Sequence, residues 1–585
     1  MAISHVIRLV KALLLSYNCF VKIKLFVKKN ALLYLIIAIS VFFRIWKLDK
    51  VPIELFGDEV DAGIQAYSIL KTGKDVFSNP YPVIFHSFSE YRLPLQIYSM
   101  AVTIGLFGMT EIGVRLASVI FGVLSIFGVY FLAKELINRK VAIIAALFLS
   151  ISPWHLQFSR QANDSGFILP FLLFGLWFFI KGLKKYRYMV ISSMLFSLSF
   201  YGYATSALFT PLLVLFLFFI YRKTFLNYGM KKIAALAFVV LLVLIPYLNA
   251  SIKGSTTGRF SYISVFNDEN VKKDSAGKLL ISTSPVSRLF YNNKSLALSK
   301  VITNYLNSYS TNFLLTLGDP DLRNSVGAMG ELYYFDIVFI IIGVFFLLTK
   351  NYRKDKKIMI LFTWLLISPV PSSLTSDGAS HAARLILMLP PLIIFSAVGF
   401  HSLISTSGKI LKKVILVGII FTMVINIIYY FNQYYVIWPR ESWRFWQTGY
   451  KEMFNYVKSV EGDFERVYFN NTYEPALPRF LFWYKYDPKL FSKEFEDDKH
   501  IPDIVPGFNG FKLGEKYYFG QIQKPVENLA KEGSLIVASA RDDITNPNIF
   551  NNPNLKLLKV VVSPVDTPIF YIFTGVNNNE SKNEK

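Results

Sequence analysis

Long apolar stretches alternate with short basic ones through the first three quarters of the chain, and the alternation stops near residue 440. The apolar segments fall at 31–46, 114–133, 141–158, 166–180, 188–205, 207–221, 233–250, 335–349, 358–371, 385–400 and 414–431. Most approach the roughly 20 residues that a helix needs to cross a hydrocarbon core. The pattern predicts a mainly α, polytopic membrane protein with about eleven transmembrane helices, and up to thirteen if two further segments are counted. One of these is "LPLQIYSMAVTIGLFG", Leu93 to Gly108, read as a helix lying in the outer interface because counting it would invert every later loop. The other is 5–27, where Arg and Lys mix with Leu in the manner of an amphipathic cytoplasmic surface helix.

Beyond residue 440 the apolar runs shorten. "RVYFN", "GSLIVASA", "LKLLKVVVS" and "TPIFYIFTG" read as strands and "TGYKEMFNYVKSV" as a helix. A small α/β domain is therefore expected over 437–575, with a polar, disordered tail at 576–585. The rest divides into a basic N-terminal segment, 1–30, and a transmembrane domain, 31–436, with long loops at 47–113 and 251–334.

Charge orients this arrangement. If the basic N-terminus is cytoplasmic, the connections 134–140, 181–187, 222–232, 350–357 and 401–413 lie inside, and they hold nineteen Lys and Arg against two acidic residues. The long loops and the C-terminal domain then face outward from the plasma membrane. The chain carries +23 in total, yet residues 440–585 hold 19 basic and 20 acidic side chains, so the excess belongs to the membrane part. That distribution argues against a nucleic-acid partner. The single cysteine, Cys19, precludes an internal disulfide.

Four polar elements recur at the outward ends of the apolar runs, where ionisable groups are costly unless paired or solvated. "VPIELFGDEVDAG" sets Asp58 beside Glu59, with Asp61 close behind as an acid on the surface of the following helix. "HSFSEYRLPLQIY" carries His86, Glu90 and Arg92; "SPWHLQFSRQANDSG" carries His155, Arg160, Asn163 and Asp164; "SDGASHAAR" carries Asp377, His381 and Arg384. Blander roles exist for each: Asp58 and Asp164 as helix caps, Arg160 and Arg384 as snorkelling cations, His155 and His381 as hydrogen-bonded interface residues. No zinc-type spacing is present. The carboxylates of Asp58, Glu59 and Asp164 together with a phosphate would suit Mg²⁺ or Mn²⁺.

The Asp-Glu pair in a long first outer loop, the "YRLP" element, "GVRLASVIFGVLSIFGVYFLAKEL" and "AALFLSISPWHLQFSRQAND" together resemble the membrane-embedded C-type glycosyltransferases, closest in pattern to the protein O-mannosyltransferase and lipid A aminoarabinose transferase families. The resemblance covers roughly residues 30 to 210, and the later spans in general layout. It implies the GT-C fold and transfer of a sugar from a polyprenyl-phosphate donor, at the outer face of the membrane, to an acceptor hydroxyl on protein, lipid or glycan. Such a reaction needs a base for the acceptor and cations for the leaving phosphate. On this reading Asp58 is the base, Glu59 and Asp164 position the acceptor or hold a divalent cation, and Arg92 and Arg384, with Arg160 and His381, clamp the phosphate.

Two other classes fit parts of the pattern. A transporter or flippase of lipid-linked sugars would share the spans and the basic loops, but would place its polar residues near the bilayer midplane. A membrane-anchored sensor would explain the C-terminal domain but not the Asp58–Glu59 pair.

Overall fold

The computed structural model describes residues 30–576 except 89–90, 254–257, 283, 350–351, 353, 407, 496–500, 524–525, 532, 542 and 545–546. The N-terminal segment up to residue 29, Glu90 and the tail beyond 576 lie outside the described residues. Helices occupy all eleven expected apolar segments, beginning with Asn30–Ile45. Among the described residues, five are long and apolar enough to cross a membrane: Glu111–Leu136, Asp164–Gly182, Met230–Ile252, Ala382–Ser405 and Leu416–Glu441. Arg139–Ile151 and Pro153–Arg160, joined at a 58° bend, make a sixth if taken as one. Spanning length is thus reached by fewer helices than the eleven crossings that the pattern predicts; Asn30–Ile45, Ser206–Ile220 and Tyr334–Leu347 are apolar but shorter.

Burial separates the centre of the bundle from its rim. Side chains of Ala382–Ser405 are almost all buried, whereas Met230–Ile252 and Leu416–Glu441 expose apolar side chains over most of their length. Tyr334–Leu347 crosses the central helix in backbone contact, because a Cβ on Gly343 would stand 2.0 Å from the Phe395 carbonyl oxygen and one on Gly399 1.9 Å from that of Phe339.

Three local decisions shape the end of the bundle that carries the C-terminal domain. Pro153 has no amide to continue the helix before it, so the chain bends there and restarts with Ser152 as its cap. The restarted helix ends at Arg160, and Gln161–Asn163 lead into the short helical turn Asp164–Ile168. The Gly57–Thr72 helix opens on the acidic pair and stops at Gly73, whose φ of 71° is left-handed. Leu93–Gly108 contains the helix Pro94–Phe107; at 14 residues it is about 21 Å long, too short to cross a hydrocarbon core.

Strands β1 (Phe85–His86) and β2 (Tyr91–Arg92) form a small antiparallel ladder that presents Arg92. The C-terminal unit follows the helix Tyr450–Val460 with β3 (Arg466–Asn470), β4 (Ile501–Val505), β5 (Phe508–Leu513), β6 (Tyr517–Ile522), β7 (Ser534–Ser539), β8 (Leu555–Val562) and β9 (Pro568–Gly575). They make one seven-stranded sheet, ordered β4-β5-β6-β3-β7-β9-β8, in which β3 runs parallel to both neighbours. The four strands read from the sequence are β3, β7, β8 and β9; β4 to β6 were not anticipated. Val60, Ile64, Ile97 and Met100 share an apolar core with Phe454, Phe469 and Phe480, so the first long loop and the C-terminal unit are packed together. Glu54 fastens them further, accepting from the Gly449 and Lys451 amides at 2.7 Å each.

Candidate active site

At the junction of bundle and C-terminal unit lies an open cleft whose empty space, open solvent included, is about 700 Å³. Its first wall comes from the loop and helix starting at Phe56, with Asp58, Glu59 and Arg92. A second comes from the turn after the bent helix, with Gln161, Asn163 and Asp164; a third brings Arg323, Asn324 and His381, and Trp446 closes the side toward the C-terminal unit.

Arg92 is fixed by two carboxylates. Its Nη2 donates to Asp58 Oδ1 at 2.7 Å and its Nε donates to Asp61. Asp58 remains 55% exposed, whereas Asp61 is buried and also accepts from the Ser87 hydroxyl at 2.6 Å. The expectation of Asp61 as a helix-surface acid is therefore overturned: its position, three residues beyond Asp58, turns it inward onto β2 and makes it a holder of Arg92.

Glu59 is saturated. Arg115 donates to both of its oxygens at 3.1 and 3.0 Å, the Ala162 amide donates at 2.7 Å and the Phe56 amide at 3.1 Å. Arg115, fully buried, also donates to the Leu48, Pro52 and Glu54 carbonyls. The ion pair thus ties the acidic loop to the Glu111–Leu136 helix, and the Ala162 amide ties Glu59 to the turn before Asp164. Asp164 lines the cleft as the first residue of its helical turn, and the cap is Asn163, whose Oδ1 accepts from the Ser165 amide at 3.0 Å.

Arg160 does not line the cleft. It is buried and directs its donors to the carbonyls of Phe43, Arg44, Lys47 and Val51 and to the Tyr434 hydroxyl. Its expected role at a phosphate is corrected, because its N–H groups are spent on stitching chain segments together. His155 likewise faces inward, its Nδ1 2.7 Å from Arg44 Nη2. Arg384 donates to Thr375 Oγ1 at 2.7 Å and to Asp377, and it is not among the cleft-lining residues.

The cation that the sequence reading missed is Arg323, in "GDPDLRNS". It forms a fork with Asp321, with Nε 2.9 Å from Oδ2, and lies over the Phe56 ring at 4.0 Å from the centroid. The local signal was the Asp-Pro-Asp-x-Arg turn chemistry, submerged in a loop too long for charge counting to judge. Nearby Asp319 is buried and accepts from the Asp321 and Ala382 amides and from Asn324. Burial, reinforced by Asp321, raises its carboxyl to about 6. His381 stands 4.0 Å from both Asp319 and Asp377; burial and the Arg384 guanidinium hold its imidazole below its ordinary value, neutral at pH 7.

Two of the three carboxylates expected to hold a divalent cation are already engaged by arginines. Glu59 is committed to Arg115, Asp58 is paired with Arg92, and among the described residues no three His, Cys, Asp or Glu groups come together as a metal site. Glu59 is thereby withdrawn from the expected set, and the Mg²⁺ or Mn²⁺ expected at Asp58 and Asp164 has no third protein carboxylate beside it among the described residues.

Residues 92–249 match the profile of the family described as dolichyl-phosphate-mannose-protein mannosyltransferase. The structure superposes on ArnT from Cupriavidus metallidurans in the apo state with a TM-score of 0.53 and 12% identity, covering 94% of this chain and 100% of that one. This chain shares the fold of the C-type membrane glycosyltransferases. ArnT bound to undecaprenyl phosphate superposes on the GT-C fold seen here equally well, at 0.53 and 13% identity, over 93% and 98% of the two chains. A dolichyl-phosphooligosaccharide-protein glycotransferase 2 of Pyrococcus furiosus is 32% identical over 111 residues, 18% of this chain and 15% of the relative's own length.

Proposed function

We propose that this protein transfers a sugar from a polyprenyl-phosphate carrier to an acceptor hydroxyl, with inversion, at the outer face of the plasma membrane. The observation that carries this reading is the convergence of Asp58, Asp164, Arg92, Arg323 and His381 in one cleft at the end of an apolar bundle. The family match, and the undecaprenyl phosphate bound by a protein of the same fold, support the choice of carrier. The basic loops support a cytoplasmic N-terminus and eleven crossings, the shorter helices completing the bundle.

In this reaction the bond from the anomeric carbon to the phosphate oxygen breaks, and its electron pair leaves with the polyprenyl phosphate. The acceptor oxygen bonds the anomeric carbon from the opposite face, and its proton passes to Asp58. Arg92 and Arg323 take the phosphate, since planar guanidinium groups pair well with its oxygens. The incoming phosphate competes with Asp58 for Arg92, and a carboxylate relieved of its cation is the stronger base. Donor binding thereby readies the base. Asp164 orients the acceptor, neutral His381 offers a hydrogen bond without added charge, and Glu59 holds the loop geometry.

The test uses the purified full chain in lipid nanodiscs with undecaprenyl-phosphate mannose and undecaprenyl-phosphate glucose and a panel of peptide, lipid and glycan acceptors. Release of undecaprenyl phosphate that depends on acceptor supports the proposal. Movement of intact carrier across a vesicle membrane without bond cleavage would favour the transporter class instead.

A further inference from the structure

Residues 258–307 follow the apolar helix Met230–Ile252 and include the helices Glu269–Ile281 and Asn293–Asn307. On Asn293–Asn307, Leu298, Ile302 and Leu306 are spaced by one helical turn and all exposed, while Ala297 and Asn304 face inward and are buried. Tyr262, Leu280 and Ile281 are 89%, 88% and 82% exposed, and Leu289 and Phe290 are exposed as well. So much exposed apolar area marks an interaction surface.

Two attachments join this surface to apolar helices of the bundle. The segment follows Met230–Ile252 along the chain, a helix whose own side chains face outward and whose last residue, Ile252, is 86% exposed. The Tyr305 hydroxyl donates to the Leu366 carbonyl at 2.8 Å and that of Tyr309 to Leu365 at 2.9 Å, tying Asn293–Asn307 to the end of the apolar helix Lys356–Ile367. Charge adds a preference: Lys272, Lys273, Lys278, Arg288, Lys294 and Lys300 outnumber Asp268, Glu269 and Asp274.

We propose that residues 258–307 lie on the membrane surface beside the cleft, their apolar face among the acyl chains and their basic side chains on anionic phosphate headgroups. The same segment is bolted to the turn that leads into the cleft. The Val265 amide donates to the Leu374 carbonyl at 3.0 Å, the Ser376 amide to Ile263 at 2.8 Å, and Asn304 Nδ2 to Thr375 at 2.9 Å. Thr375 in turn accepts from Arg384. Seating on lipid therefore fixes the turn that carries Asp377 and leads to His381.

The experiment uses the full chain with Cys19→Ser and single cysteines introduced as Leu289→Cys or Ile302→Cys, each labelled with bimane and placed in phosphatidylglycerol nanodiscs with brominated acyl chains. Quenching at both positions, comparable to Phe238→Cys in the Met230–Ile252 helix and absent at Glu515→Cys in the C-terminal unit, is expected. Absence of quenching at both overturns the proposal, as does protection from the quencher with cross-linking between copies at Ile302→Cys. Exchanging phosphatidylglycerol for phosphatidylcholine should at least halve the quenching at Ile302→Cys; an unchanged value overturns the preference for anionic headgroups.

Discussion

The Nε–H of Arg92 donates to Asp61, a buried carboxylate just beyond Asp58 on the same helix. Arg92 is thereby aimed at the cleft even when its contact to Asp58 is lost to a ligand. Asp61→Asn removes the charge from this anchor and leaves the volume nearly unchanged. A hydrogen bond to a charged group is worth ~1.5–3 kcal/mol, which corresponds to about a 10- to 100-fold weaker affinity for the lipid-phosphate donor. Titration of undecaprenyl phosphate against wild type and variant measures it. Wild-type affinity in Asp61→Asn would show that its contact to Arg92 is incidental to donor binding.

Asp58 stands on the other side of the same guanidinium and is the more exposed partner. Asp58→Asn keeps the size and most hydrogen bonding but cannot take the acceptor's proton. Transfer should fall by ~10²–10⁴, the usual worth of a general base, while donor affinity changes far less. Single-turnover rates and donor binding, measured on the same preparation, separate the two quantities. Loss of both together would point to Asp58 as a holder of Arg92 and not as the base.

What the sequence disclosed depended on distance along the chain. The apolar runs, the strand β3, the Asp58–Glu59 pair and Asp164 were legible, because each is a local pattern or an ionisable group at the end of an apolar segment. The Glu59–Arg115 pair was not, since its members stand 56 residues apart and Arg115 sits inside a run that reads as an ordinary span. Arg160 and Arg323 look alike as isolated arginines beside acidic residues. Only the fold reveals that backbone carbonyls consume the first and that the second reaches the cleft. Helix length was not legible either, because a run of spanning composition can form a helix as short as Tyr334–Leu347.

The Glu59–Arg115 pair should govern stability more than chemistry. Both side chains are buried, so removing either partner strands the other in a poor solvent. Glu59→Gln or Arg115→Met should each destabilise the protein by about 3–5 kcal/mol, the usual consequence of breaking a buried pair, and the double substitution should lose less than the two singles combined. Thermal unfolding in detergent micelles, followed by tryptophan fluorescence, checks this. Additive losses would show that the two residues act independently.

Asp319 and His381 lie about 4 Å apart and should impose opposite pH dependences. Burial raises Asp319 from 3.8 to about 6, so the folded protein binds this proton more tightly than the unfolded chain does. Its contribution to stability is complete below pH ~4 and is lost as the pH rises to ~6, a change of about 3 kcal/mol at most. His381 is shifted downward by burial and Arg384, so the folded protein favours the neutral ring. Its contribution is complete above its ordinary value of 6.5 and is lost as the pH falls below it. Relative to wild type, Asp319→Asn should therefore make stability rise more steeply between pH 4 and 6, since the opposing slope is gone. His381→Gln should make it fall more steeply over the same interval. Melting temperatures of the three proteins at pH 4, 5 and 6 provide the comparison; parallel profiles would mean that neither group titrates across this window.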